Sequence, residues 1–322
     1  MIQRAAATLA LGAAVLLLAG CASAASGGAN ADAGFEAALA AVPGDAAGPA
    51  DIAYADYAAA RAALGIDDGG DGVDGLRVLD EELGMILPAS FGWNRAELAG
   101  DVEETIGVSL EDVTAFVDWQ GDAGDVLAFA APDDAADRLT AVLGEPADGV
   151  WAYGEEDGGA DLSLGEAAMW SQRIAEVDGR VVIASTGELL DRVREGDTAA
   201  DDEARAEAAR ALDERNVLAA MLNRPSLGDE SSFSWVGGGV SHEDGVTRNH
   251  LVWVVAEDGD VEASAERVRA NLASGSTADG TPFSELLKVD DVTVSGRLII
   301  ADARPVDSAR VWSQLLYRAD LG

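Results

Sequence analysis

From Phe35 onward the chain alternates between short apolar runs and breaks rich in glycine and aspartate. Asp51–Tyr57 (DIAYADY) has the period of a strand, and an Ala-rich helical stretch follows to about Leu64. Asp67–Gly75 (DDGGDGVDG) reads as a loop, after which Leu76–Met85 returns to helical spacing. Asp112–Trp119 and Val126–Ala131 are rich in β-branched and aromatic residues and predict strands. Asp133 and Asp134 offer N-cap oxygens to a helix that places Leu139, Val142 and Leu143 on one face. Met169–Val177 and Arg180–Thr186 flank Asp178-Gly179, a dipeptide preferred in two-residue hairpin turns. A helix with Leu189, Leu190 and Val193 on its buried side comes next.

The second half repeats this order. Val217–Leu222, Phe233–Val240 and Leu251–Ala256 predict strands, followed by a helix with Val261, Ala265, Val268 and Leu272 on one side. Val292–Ala301 forms a second hairpin turning at Ser295-Gly296, before a C-terminal helix carrying Val311, Leu315 and Leu316. Gly179–Ala184 (GRVVIA) and Gly296–Ala301 (GRLIIA) match closely, and the elements around them come in the same order. The expected fold is therefore α+β, built of two similar units over residues 33–198 and 199–322. Each is expected to be a mostly antiparallel sheet with helices packed on one face.

The first residues follow another logic. Arg4 and the free amine precede an apolar run from Ala5 to Ala19, shorter than the roughly 20 residues that span a bilayer. The run has the length and flanks of a signal-peptide core, giving a signal over residues 1–20. It ends in Leu18-Ala19-Gly20-Cys21, which resembles the bacterial lipobox. That resemblance implies diacylglycerol on the Cys21 thiol and cleavage between Gly20 and Cys21. Residues 21–32, rich in Ala, Gly and Ser, then read as a lipidated flexible tether. No other apolar segment has the length of a membrane span.

Composition narrows the partners. The 322 residues hold 21 basic and 59 acidic side chains, a net charge of −38. Such a surface repels phosphate backbones, so nucleic acid is excluded as a partner. The acids are spread along the whole chain, as expected of a surface adapted to salt or solubility. Lys288 is the only lysine, and with abundant alanine this points to a GC-rich genome of the actinobacterial or haloarchaeal kind. Cys21 is the only cysteine, so no intramolecular disulfide forms and stability must come from packing. The passages GVSLEDVTAFVDW (Gly107–Trp119), EVDGRVVIASTGELLDRV (Glu176–Val193) and VWSQLLYRADL (Val311–Leu321) resemble a group of actinobacterial membrane lipoproteins of unassigned activity. That resemblance implies location and architecture, and no chemistry.

Candidate chemistry is sparse. No G-x-S-x-G elbow or phosphate-binding loop is present, and Ser284 and Lys288 are one residue too far apart for an S-x-x-K pair. His242 and His250 flank the turn-like Glu243–Gly245, a placement that could set them face to face across a hairpin, and are read as two polar positions on a half-exposed hairpin. Zinc would need further ligands such as Glu243 or Asp244. Asp67, Asp71 and Asp74, and the loop Gly154–Gly159, suit calcium by ligand type, but the first lacks the spacing of an EF-hand. Both are read as solvated turns. Gly237-Gly238-Gly239 within a strand indicates a bulge or a close backbone approach. Among the seven tryptophans, loop-like Trp93 is the candidate for ligand stacking, most being expected in the core. No catalytic residue, metal ligand or cofactor is expected. The function expected is non-catalytic binding of a small ligand or envelope protein by a lipid-anchored domain on the outer face of the cytoplasmic membrane. An envelope hydrolase using dispersed carboxylates and a structural spacer are the alternatives.

Overall fold

The computed structural model describes residues 34–44, 50–66, 72–92, 103–104, 106–109, 112–130, 133–154, 172–225 and 232–321. In chain order these form α1 (Phe35–Ala38), β1 (Ala50–Asp56), α2 (Tyr57–Leu64), α3 (Gly72–Leu83), β2 (Ala115–Gly121) and β3 (Gly124–Ala130). Then come α4 (Ala135–Leu143), β4 (Trp151–Tyr153), β5 (Gln172–Val177), β6 (Arg180–Ala184), α5 (Gly187–Glu195) and α6 (Glu203–Asp213). The last elements are β7 (Ala219–Asn223), β8 (Phe233–Glu243), β9 (Val246–Val255), α7 (Val261–Ser274), α8 (Phe283–Leu286), β10 (Leu287–Ser295), β11 (Leu298–Pro305) and α9 (Val311–Tyr317).

Local chemistry sets many of these boundaries. Asp56 ends β1 and caps α2, accepting from the Ala59 N–H at 2.8 Å, and Gly65 stops that helix in the left-handed region. Asp202 and Asp260 cap α6 and α7 in the same way. Asp178 (φ 50°) and Gly179 (φ 75°) make the expected hairpin turn, with positive φ at both central residues.

Among the described residues all eleven strands join one sheet, in the order β10-β11-β9-β8-β7-β1-β2-β3-β6-β5-β4, and every ladder is antiparallel. The α+β class and the antiparallel pairing are those expected. The strand groups before and after residue 198 meet where β1 pairs with β7. Each group uses one order, β1-β2-β3-β6-β5 and β7-β8-β9-β11-β10, with the returning hairpin inserted last strand first.

The matching hexapeptides occupy equivalent strands, β6 and β11, yet they face opposite ways. Val181 and Ile183 enter one core, whereas Leu298 and Ile300 enter the other. The turn is the cause. Gly179 is the second turn residue, so the strands close on Val177–Arg180; Gly296 is the first, so they close on Ser295–Leu298. A shift of one residue inverts every side chain on a strand.

Helices were expected on one face of each unit, but they lie on both faces of the shared sheet. Its middle strands are apolar on both sides: Leu251 to Val255 of β9 are all buried. Two cores result. One holds α2, α3, α4, α7, α8 and α9 through Tyr57, Leu79, Leu139, Val268, Phe283 and Trp312. The other holds α1, α5 and α6 through Phe35, Leu190 and Leu212. Within α4, Leu139 is buried but Val142, expected beside it, is 46% exposed. Nine residues bury only the Ala135–Leu139 line, leaving Val142 at the rim against Gly107. Asp134 precedes α4 without capping it, since its carboxylate accepts from Arg138 instead. Helix α6 has no counterpart among the expected elements, because its buried face is Ala208, Ala209, Ala211, Leu212 and one arginine, a weak apolar signal.

The Gly237–Gly239 run marks a close approach on both sides of β8. A Cβ on Gly237 would lie 2.4 Å from Leu222 Cδ2, one on Gly239 2.7 Å from the Ala219 carbonyl, and one on Gly238 2.9 Å from the His250 carbonyl.

Candidate functional site

Three places bring polar groups together. The first crosses β8, β9 and β11 on the face covered by α6. Alternation along these strands turns Ser241, His250 and Asp302 to that face. Ser241 Oγ lies 2.8 Å from His250 Nε2, and His250 Nδ1 lies 2.7 Å from Asp302 Oδ1. Arg215, just beyond α6, donates to the same carboxylate oxygen at 2.8 Å. The hydrogen bond from His250, and then Arg215, hold the Asp302 carboxyl down at about 2. With Asp302 ionised, Nδ1–H donates to it, and Nε2 shares a hydrogen bond with the Ser241 hydroxyl. This connectivity is that of a nucleophile, a base and an orienting carboxylate. Access decides against its use: Ser241 keeps 2% of its surface and His250 4%. The chain of bonds ties α6 to the sheet and offers no open face to a substrate.

The histidines do not face one another. His242 is paired with Thr247 and bonds its hydroxyl at 3.0 Å, while His250 is paired with Gly239. They lie an odd number of strand positions out of step, so the pleat sends them to opposite faces.

The second place is a carboxylate row at one end of the other face. Strand register sets Asp51 of β1 opposite Gln120 of β2, and Gln120 opposite Asp125 of β3. Asp118, two residues inward on β2, is fully buried. It accepts from the Ala89 N–H at 2.6 Å, the Ser90 N–H at 3.1 Å and the Ser90 hydroxyl. Burial outweighs these three bonds and pushes the Asp118 carboxyl up to about 6. Desolvation against the sheet also raises Asp51 and Asp125. Tyr317 exposes 59% of its surface, yet its phenol is raised, by desolvation first and then by the negative charges of Asp118 and Asp51. Asp118 shares strand parity with Phe116 and so faces the same core, a face that parity alone does not mark as buried, since Val117 and Trp119 fill the other core. Its bonding work is to hold the segment from Gly84 to Phe91 on the sheet, where Tyr57 Oη also donates to the Ile86 carbonyl at 2.9 Å.

The third place is a recess of about 460 Å³ beside Trp235, lined also by Thr198, Asp201, Arg224, Glu257 and Arg297. The guanidinium groups of Arg205 and Arg224 lie over the Trp235 ring, 4.6 Å and 5.4 Å from its centre. Arg205 is wholly buried, 3.5 Å from Asp202. A second recess, of about 520 Å³, lies over Arg173, Arg192 and Glu188. Both volumes fall in the range of small-ligand sites.

The remaining candidates separate cleanly. Gly20, Cys21, Asp67, Asp71, Trp93 and the acids of Gly154–Gly159 lie outside the described residues. Asp74 belongs to α3, which begins at Gly72, so the loop read through Gly75 ends earlier. Helix α8 stops at Leu286, placing Ser284 on a helix and Lys288 on a strand. Trp119, Trp151, Trp235, Trp253 and Trp312 are buried, as expected of core residues. Among the described residues, no group of three or more His, Cys, Asp or Glu can hold a metal ion, and no helix is long and apolar enough to cross a membrane.

No family model matches the chain, and no curated protein does. Similar solved structures include crystal forms I, III and IV of TP0453. Form I is 9% identical, with a TM-score of 0.39 over 88% of this chain and 97% of that one. Form III is 10% identical, with a TM-score of 0.38 over 86% and 96%. Form IV is 9% identical, again at 0.38, over 86% and 95%.

Proposed function

We propose that this protein is a lipoprotein, anchored by diacylglycerol on Cys21 to the outer face of the cytoplasmic membrane, whose acidic domain binds a small ligand or an envelope partner without catalysis. The observation that carries the reading is Leu18-Ala19-Gly20-Cys21 at the end of an apolar run too short to span a bilayer. Two acyl chains on one thiol hold a domain stably where a single chain is marginal. The sealing of Ser241 supports the non-catalytic half, and the recess beside Trp235 supplies volume for a ligand.

The hydrolase alternative draws on the raised carboxyls of Asp51, Asp118 and Asp125. Asp118 is the most perturbed of them, but its oxygens are committed to Ala89 and Ser90 beneath the surface. A general acid must reach the bond it cleaves. Binding is therefore the better reading.

Intact mass of membrane-extracted protein tests the anchor. The expected chain starts at Cys21 and carries added acyl mass, and Cys21→Ser leaves the membrane fraction. A mature chain with no acyl mass overturns the proposal. Crosslinking in intact membranes tests the partner: no protein enriched by wild type over Cys21→Ser removes the partner form of the reading.

A further inference from the structure

Of the two sheet edges, β10 is the longer, with nine residues against three in β4. Apart from Leu287 and Val292, all of β10 is exposed. Strand β11 takes only half of its backbone groups. The two-residue turn Gly296-Arg297 closes on Ser295–Leu298, and hydrogen-bonded pairs recur every second residue, at Thr293–Ile300 and Asp291–Asp302. The N–H and C=O of Val292 and Val294 therefore point outward, where a further strand would assemble.

At Val292 both outward groups are already taken. Its N–H donates to Asp291 Oδ1 at 2.8 Å, and its carbonyl accepts from Arg269 Nη2 of α7 at 3.2 Å. Next to it, a bulge between Val289 and Asp291 throws Asp290 out of register. Arg304 at 2.7 Å and Arg248 at 3.1 Å fix that carboxylate. An incoming strand meets satisfied groups at the centre of the edge and a bend beside them. The exposed Val289 (36%) and Val294 (42%) are the apolar surface it would otherwise cover.

We infer that Asp291 and Arg269 form a clasp that keeps β10 from pairing with β10 of a second copy of this chain. The excluded occupant is a second copy because β10 is its own antiparallel complement: two such edges present the same outward groups in reversed order. Charge does not protect this edge. Arg248 and Arg304 neutralise Asp290, so the repulsion that a net charge of −38 gives the molecule as a whole is reduced here.

The test is sedimentation equilibrium of the full chain in detergent, at about 1 M salt where the screening length is about 3 Å, with amide exchange followed at Val292. The pair Arg269→Ala and Asp291→Ala is expected to raise the self-association constant about tenfold or more, with circular dichroism unchanged. Adding Val294→Pro removes an outward N–H without touching the β11 ladder and is expected to restore the monomer. Asp291→Asn keeps the acceptor oxygen and is expected to behave as wild type. If the double variant loses its fold, Arg269→Ala alone makes the same comparison from an exposed side chain. A clasp-free chain as monomeric as wild type overturns the inference. So does association that Val294→Pro leaves intact.

Discussion

Asp118→Asn separates the charge of this residue from its hydrogen bonds. In the folded protein burial moves the carboxyl from 3.8 to about 6. At about 1.4 kcal/mol per pH unit, the ionised form costs the native state about 3 kcal/mol relative to a protonated one. The sign follows from proton binding. The native state holds this proton more tightly than the unfolded chain, so the stabilisation is complete below 3.8 and lost as pH rises through about 6. Asparagine is neutral throughout, and its Oδ1 still accepts from the Ala89 and Ser90 N–H groups. The expected result, from urea unfolding followed by tryptophan fluorescence, is near-equal stability of the two proteins only below pH 3.8, with the variant ahead by about 1–2 kcal/mol at pH 5. At pH 7.5 the variant is expected to be the more stable, by up to about 3 kcal/mol. Acidification also relieves repulsion among the other acids, in both proteins alike, so the difference between them isolates Asp118. A variant that loses several kcal/mol at pH 7.5, with a pH slope parallel to wild type, would refute the reasoning. The buried charge would then be net stabilising.

Two further expectations concern packing. Trp253 Nε1 donates to the Leu321 carbonyl at 2.9 Å, whereas Trp312 Nε1 has no partner among the described residues; Trp253→Phe should therefore cost about 1 kcal/mol or more beyond Trp312→Phe in denaturant midpoints, because it strands a buried acceptor. Gly238→Ala pushes a methyl to within 2.9 Å of the His250 carbonyl, and a loss of about 1–3 kcal/mol in thermal unfolding is expected, with Gly75→Ala, a position in α3 where a Cβ has open space, as the comparison.

Legibility along the chain tracked the range of the interaction responsible. Asp178-Gly179 was readable because positive φ at two successive residues is a property of those residues. The buried side of α7, from Ala265 through Leu272, was readable because its period is set by one helix. The acidic surface, the core tryptophans and the close approach at Gly237–Gly239 belong to the same class. Helix α6 was not readable, since alanines and a buried Arg205 become a core face only once Trp235 and β8 lie beneath them.

The sequence by itself determined the α+β class, the hairpin at Asp178-Gly179 and the repeated order of elements, whereas the second hairpin turns at Gly296-Arg297, one residue beyond the expected Ser295-Gly296. Each depends on residue type or on spacing within one segment. Tertiary structure alone decided that both halves share one sheet, that the two hexapeptides face opposite cores, and that Ser241, His250 and Asp302 meet. It also decided that Asp118 is buried beneath the segment ending at Phe91. These outcomes depend on which strand edge pairs with which, and in what register. A pleat repeating every two residues turns a shift of one position into a reversal of every face.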